Sequence, residues 1–378
     1  MRPRIDLDAN ATTPVCEASA KALQKALKIS GNPSSLHGLG QVAKACLEEA
    51  RDAVAGFVDA PAEGVYFCGS GSEANNWVLK SVLDFRRRGE SAHVVISAIE
   101  HSCVMETCRY LETWGVAVTA VPCSESGVMN PGDIQAAIRP DTRLVSVMLA
   151  NNETGAIQPI AEMAAIAQSA GIPFHTDAVQ AAGKLPISFR ELGVDYLSLS
   201  GHKVYAPKGI GVLVARESAL LVPLIHGGSQ EKKQRGGTEP VALAAALGAA
   251  VTWVQSQQKF PFEALKKRFV AGLAQLPGVG FNGDLECCLD TTVNVSFDGI
   301  RSDGLMMALD MAGIAVSTGA ACSTGTIEPS HVLLAMGLSK ARSSSAIRFS
   351  FGLYTTEADI DQTLSVLGTL VPKLRQLS

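Results

Sequence analysis

Ile172-Pro173-Phe174-His175-Thr176-Asp177-Ala178-Val179-Gln180, followed by Tyr196-Leu197-Ser198-Leu199-Ser200-Gly201-His202-Lys203, is the stretch from which the fold is read. Each half is a brief apolar run that closes on polar residues, the pattern of a strand buried on both faces. Val65–Cys68, Val94–Ser97, Leu144–Leu149 and Gly211–Val214 have the same texture. Amphipathic helical stretches, Ser72–Arg88 and Ile160–Ala170, lie between them. Strands alternating with helices predict an α/β fold around a mainly parallel sheet. After an Ala-rich helix at Val241–Val254 the texture changes. Further strands are expected at Val293–Phe297, Ile314–Ser317 and Ala346–Phe351, so a boundary falls near residue 255, between a large domain and a smaller C-terminal α/β domain.

Composition narrows the function. The 378 residues carry a net charge of -4, with no basic footprint for nucleic acid. No stretch approaches the roughly 20 apolar residues of a membrane span, and the opening residues lack a signal-peptide pattern. A cytoplasmic, soluble protein is expected. Nine cysteines at 16, 46, 68, 103, 108, 123, 287, 288 and 322 match no zinc spacing. Eight of them read as free thiols of a reducing compartment.

Residues past the carboxyl ends of strands in such sheets converge on a ligand. Gly69-Ser70-Gly71-Ser72 opens a helix after Val65–Cys68 and suits a phosphate. Gly69-x-Gly71-x-x-Ala74 also fits a dinucleotide fingerprint, but the acidic residue expected about 20 positions on is missing, Glu100 being too late. Asp177 alone would read as a helix cap, and Lys203 alone as a solvated lysine. Together, 26 residues apart on two strand ends, they supply what pyridoxal phosphate (PLP) requires. The lysine bonds the cofactor's aldehyde, and the carboxylate keeps its ring nitrogen protonated. His101 offers a flat face for the ring. Asn152 and Gln180 are neutral donors, and Ser200 and His202 add donors for the phosphate. Cys322 sits in Ser317-Thr318-Gly319-Ala320-Ala321-Cys322-Ser323-Thr324-Gly325-Thr326, a long loop of small residues with no packing reason for a thiol. An accessible thiol there can act as a nucleophile. Arg348, a charge inside an apolar strand, is a candidate partner for a carboxylate.

These motifs, with Leu7–Pro14, Gly31–His37, Ala150–Gly155, Arg235–Thr238 and Glu328–His331, make the chain resemble the class V aminotransferase superfamily over nearly its whole length. Within it the chain is similar to the bacterial cysteine desulfurases. The resemblance implies PLP fold type I, with a large domain (13–254), a small domain built from 1–12 and 255–378, and a homodimer. It implies that Lys203 holds PLP, Asp177 pairs with the ring nitrogen, His101 stacks on the ring and Gln180 meets its hydroxyl. Gly71, Ser72, Ser200 and His202 would hold the phosphate with Thr238 of the other subunit, and Asn152 and Arg348 would meet the substrate carboxylate. Cys322 would take sulfur from L-cysteine, leaving alanine, and pass it to a sulfur-acceptor protein, an iron–sulfur scaffold or a sulfur carrier. Cys68–Asn75 departs from the commoner Thr-Ser-Gly-Ala/Cys-Thr-Glu-Ser-Asp. Rival readings are a selenocysteine lyase or small aminotransferase of the same fold, and a silent sulfur-carrier subunit.

Overall fold

The computed structural model describes residues 4–217, 219–257, 260–318, 322–323, 326–327 and 329–376, with 322, 323, 326 and 327 described by backbone alone. Its centre is a seven-stranded sheet in the order Val65–Cys68, Gly211–Ala215, Tyr196–Ser200, Phe174–Asp177, Thr142–Ser146, His93–Ser97, Ala117–Val121. Neighbouring strands from Tyr196–Ser200 to Ala117–Val121 pair in parallel. Gly211–Ala215 runs against both its neighbours, so Val65–Cys68 points the same way as the parallel set.

Both faces are apolar, which is why the strands read as continuous runs. Val95, Leu197, Val212 and Val214 face one core, under the helices Gly38–Phe57 and Val241–Ser256. Their neighbours Val94, Ile96, Tyr196 and Leu213 face the other, against Trp77, Val78 and Leu79 of the helix Gly71–Ser81. Successive side chains alternate across the pleat, and helices cover both sides.

A separate core holds Phe269, Val293, Val295, Ile347, Phe349 and Leu367. Thr292–Phe297 pairs antiparallel with Ala346–Ser350 and Val279–Phe281. Ile5 and Leu7 are buried in this core, because Ile5–Asp6 adds in parallel to Ile314–Ala315. The chain then crosses to the large sheet, where Thr13 N–H donates to the His202 carbonyl at 2.9 Å.

Three expectations shift. The stretch Ser72–Arg88 is two helices, Gly71–Ser81 and Leu83–Arg87, meeting at Val82. The strand expected at Leu144–Leu149 is Thr142–Ser146, although Val147 and Leu149 still donate to His175 and Asp177 carbonyls. Ile314–Ser317 contracts to Ile314–Ala315, and Ser317 bridges Arg348 instead.

Candidate active site

Six strands end at one edge of the sheet, and the residues that close or follow five of them line a cavity of about 280 Å³. Gly71, Ser72, His101, Asn152, Asp177, Gln180, Ser200, His202 and Lys203 all reach it. Ala11, Asn75 and Cys103 line it too.

One end of the cavity is built by the start of the helix Gly71–Ser81. Ser70 caps it, accepting from Glu73 N–H at 3.1 Å. Gly71 and Ser72 are its first two residues, whose N–H groups have no acceptor within the helix and carry the positive dipole end. A Cβ at Gly71 would stand 2.7 Å from Val179 Cγ2 and 3.2 Å from Ser200 Cβ, so glycine lets the helix start lie against both neighbouring strand ends. Burial, reinforced by Lys203 and Lys208, lowers His202 to about 4. His202 is therefore neutral near pH 7, its Nδ1 beside Thr12 Oγ1 at 3.2 Å.

Asp177 ends its strand with both carboxylate oxygens held. Oδ2 accepts from Asn75 Nδ2 at 2.6 Å and Oδ1 from Val179 N–H at 2.9 Å. Asn75 is a site residue that sequence reasoning missed, although its place one helical turn after Gly71 was the available signal. His101 caps the helix Ser102–Glu112, its Nδ1 accepting from Cys103 N–H at 3.1 Å. Partial enclosure lowers its pKa against the pull of Asp177.

Lys203 follows the strand Tyr196–Ser200 and donates to the carbonyls of Asn10 and, at 2.8 Å, Ala11. Burial, with the Arg348 cation adding to it, lowers Lys203 to about 8, against Asp8 and Asp177. A lysine so perturbed exposes a nucleophilic, proton-accepting amine near neutral pH.

Arg348 is 5% exposed and sits beside the cavity rather than on its lining. It donates to Asp8 Oδ1 at 2.7 Å and the Asn152 carbonyl at 2.9 Å. Asn152 Oδ1 is buried with no partner. Thr238 is exposed and does not line this cavity. The Cys322 side chain lies outside the described residues; its backbone pairs with Ile327. Both roots of the segment are tied to the site. Arg348 and Ser317 exchange backbone hydrogen bonds at 2.7 and 3.2 Å, and Ser330 Oγ donates to Glu153 Oε2 at 2.5 Å. The other eight cysteines are free. Burial raises Cys103 to about 11 and Cys68 and Cys108 to about 12, so none of these three is a thiolate at neutral pH.

The donor set fits PLP: an anion-binding helix start, a fixed carboxylate, a flat imidazole and an amine of lowered pKa share one cavity, and the orphaned Asn152 oxygen leaves room for a further donor. Residues 5–363 match the aminotransferase class-V family. The cysteine desulfurase IscS of Dictyoglomus turgidum is 40% identical over 383 residues, covering 100% of this chain and 97% of that protein. The human cysteine desulfurase is 38% identical, covering 100% and 84%. Among solved structures, a NifS-like protein superposes with a TM-score of 0.91 at 35% identity, covering 98% and 100%. SspA in complex with cysteine gives 0.82 at 36%, covering 93% and 100%. With the sheet, the cavity and these likenesses in agreement over almost the full length, the chain belongs to the class-V aminotransferase family.

Proposed function

We propose that this protein is a PLP-dependent cysteine desulfurase that moves the sulfur of L-cysteine onto Cys322. The observation that carries this reading is the union, in one cavity, of the lowered Lys203 amine and the fixed Asp177 carboxylate, with a cysteine-bearing segment rooted beside them. The relatives named above support the substrate.

Gly71, Ser72, Ser200 and His202 would hold the cofactor phosphate, Asp177 its ring nitrogen and His101 its face. When bound, PLP supplies an electron sink for charge developing at the substrate α-carbon. Lys203, whose amine would also be the group that holds PLP, would take the proton from the substrate α-carbon. Asn152 and Arg348 orient the substrate carboxylate. The Cys322 thiolate attacks the substrate sulfur: an S–S bond forms, the carbon–sulfur bond breaks, and the carbon keeps the electron pair and gains a proton. Cysteine and the Cys322 thiol thus give alanine and a Cys322 persulfide, with no external oxidant.

Further elements of the proposal are a homodimer in which Thr238 reaches the partner's cofactor, a cytoplasmic setting, and an acceptor protein in iron–sulfur or thio-cofactor assembly. The central test is turnover: PLP-loaded protein given L-cysteine and a reducing thiol should release alanine and sulfide one for one. Release of pyruvate without alanine, or no reaction, overturns it.

A further inference from the structure

Asn10, 1% exposed, joins the N-terminal arm to both cores. Its N–H donates to Ser350 Oγ at 2.9 Å, and its Nδ2 to Thr292 Oγ1 at 2.9 Å and the Asn152 carbonyl at 3.2 Å. Its carbonyl accepts from Lys203 and from Gln180 Nε2, the latter at 2.9 Å. Its Oδ1 accepts from Lys184 Nζ at 2.6 Å, and the same amine donates to Gln180 Oε1 at 2.7 Å. Lys184 stands four residues after Gln180, beyond a turn at Gly183. There φ is +74° and a Cβ would come 3.0 Å from Val254 Cγ1. Glycine permits that turn.

We infer that Lys184 is a positioning residue: by holding Gln180 Oε1 and Asn10 Oδ1, it sets the Gln180 amide with one N–H free for the cavity. The orientation is determined from both sides. A carbonyl such as that of Asn10 only accepts, so the amide nitrogen must face it, and Lys184 then occupies the amide oxygen. Nε2 carries two hydrogens, and Asn10 uses one. The other belongs to the cavity that Gln180 lines. Burial, with the Lys203 and Arg348 cations near, drives Lys184 well below its usual pKa. Its two hydrogen bonds, to Gln180 Oε1 and Asn10 Oδ1, use two of its N–H groups. Without Lys184 the buried oxygens of Gln180 and Asn10 lose their donor, and a half-satisfied network reorients.

This inference rests on PLP occupying the cavity, where the spare N–H would meet the ring hydroxyl oxygen. The test is the pH midpoint of the visible absorption band when the apoprotein is reloaded with PLP. An outside donor to the ring oxygen stabilises its anionic form, and losing that donor raises the midpoint. Lys184→Met should raise it by about 1 unit, the worth of one hydrogen bond. Gln180→Leu should do the same, and the double variant should shift no further. Lys184→Gln keeps an N–H donor and should return the midpoint close to wild type. If K184M does not fold, Q180L and the K184Q/Q180L double variant must share one midpoint. An unmoved K184M midpoint in a protein that takes up PLP normally, or shifts that sum, overturns the role of Lys184 alone. Failure of the wild-type protein to take up PLP overturns the cofactor reading and this inference with it.

Discussion

Ser330 donates its hydroxyl to the Glu153 carboxylate at 2.5 Å, a contact between two side chains that are 4% and 3% exposed. Glu153 follows Asn152 on a cavity-lining loop, and Ser330 stands where the Cys322 segment rejoins the fold. His331 Nε2 adds a contact to the Glu100 carbonyl at 2.9 Å. Ser330 and His331 are thus fixed to the loops that carry Asn152 and His101.

Ser330→Ala removes that donor and leaves Glu153, already raised to about 7 by burial, with less to hold its charge. The cofactor pocket keeps its own contacts. Single-turnover transfer of sulfur from L-cysteine to Cys322 should therefore slow about tenfold, the size of one charge-assisted hydrogen bond, while PLP uptake stays as in wild type. Mass spectrometry of quenched samples follows the first and absorbance titration the second. Equal transfer rates would show that the root does not govern the thiol.

Glu100 gives a stability prediction. Burial raises it to about 8, Asp177 adding and the Ser97 hydrogen bond opposing. Its Oε1 accepts from Ser97 Oγ at 2.6 Å and Met148 N–H at 2.8 Å, and Oε2 has no partner. The unfolded chain releases this proton near the ordinary value of 4.5. Between pH 4.5 and 8 the folded state keeps a proton that the unfolded state has lost, so stability falls as pH rises. The slope is at most about 1.4 kcal/mol per pH unit, levelling above 8. Glu100→Gln keeps the accepting oxygen and does not titrate. Its melting temperature should exceed wild type by a margin that widens from pH 5 to 8; parallel curves would mean that Glu100 is ionised in the fold.

The strand-end loops were legible because their strands are buried on both faces, so each apolar run ends where the polar cavity begins. Val65–Cys68 was read with its observed limits. Ala117–Val121 was not anticipated: it is a half-exposed edge strand of small and β-branched residues, with no long apolar run. Asn10, Asn75, Cys103 and Lys184 were missed as site residues for another reason. Asn10 arrives along an arm paired with the other core, and Asn75 and Lys184 act on Asp177 and Gln180 rather than ending a strand. Such roles are set by tertiary contacts, which periodicity does not report.

Lys203 carries a pH prediction in the apoprotein. With its pKa lowered to about 8, the neutral amine gains population as pH rises through 8 and is nearly complete a unit above. Borohydride-trapped PLP uptake should rise over that interval and then level off, whereas an ordinary lysine would keep rising toward about 10.4. Arg348→Leu removes a nearby cation and should move the midpoint upward. A midpoint near 10 in the wild-type protein would show that the amine is not perturbed.

Cys322 is tested by separating binding from transfer. In the proposed reaction the sulfur acceptor must be a thiolate, which the Lys203 amine and the other polar groups of the cavity cannot replace. Cys103, which lines the cavity, accepts from Asn75 Nδ2 at 3.3 Å and is raised to about 11, so little of it is thiolate at neutral pH. Cys322 lies in sequence between Ser317 and Ser330, both of which are fixed beside the site, Ser317 to Arg348 and Ser330 to Glu153. Cys322→Ser should therefore take up PLP as wild type does and show the spectral change on adding L-cysteine, yet lose at least about 99% of alanine formation. Wild-type protein treated with L-cysteine alone should gain one sulfur, about 32 Da by elemental mass, mapped to the Cys322 peptide and removed by a reducing thiol. The two measurements fail in different ways: sulfur found on Cys103 would name another acceptor, while alanine formed at the wild-type rate by Cys322→Ser would show that breaking the carbon–sulfur bond needs no protein thiol.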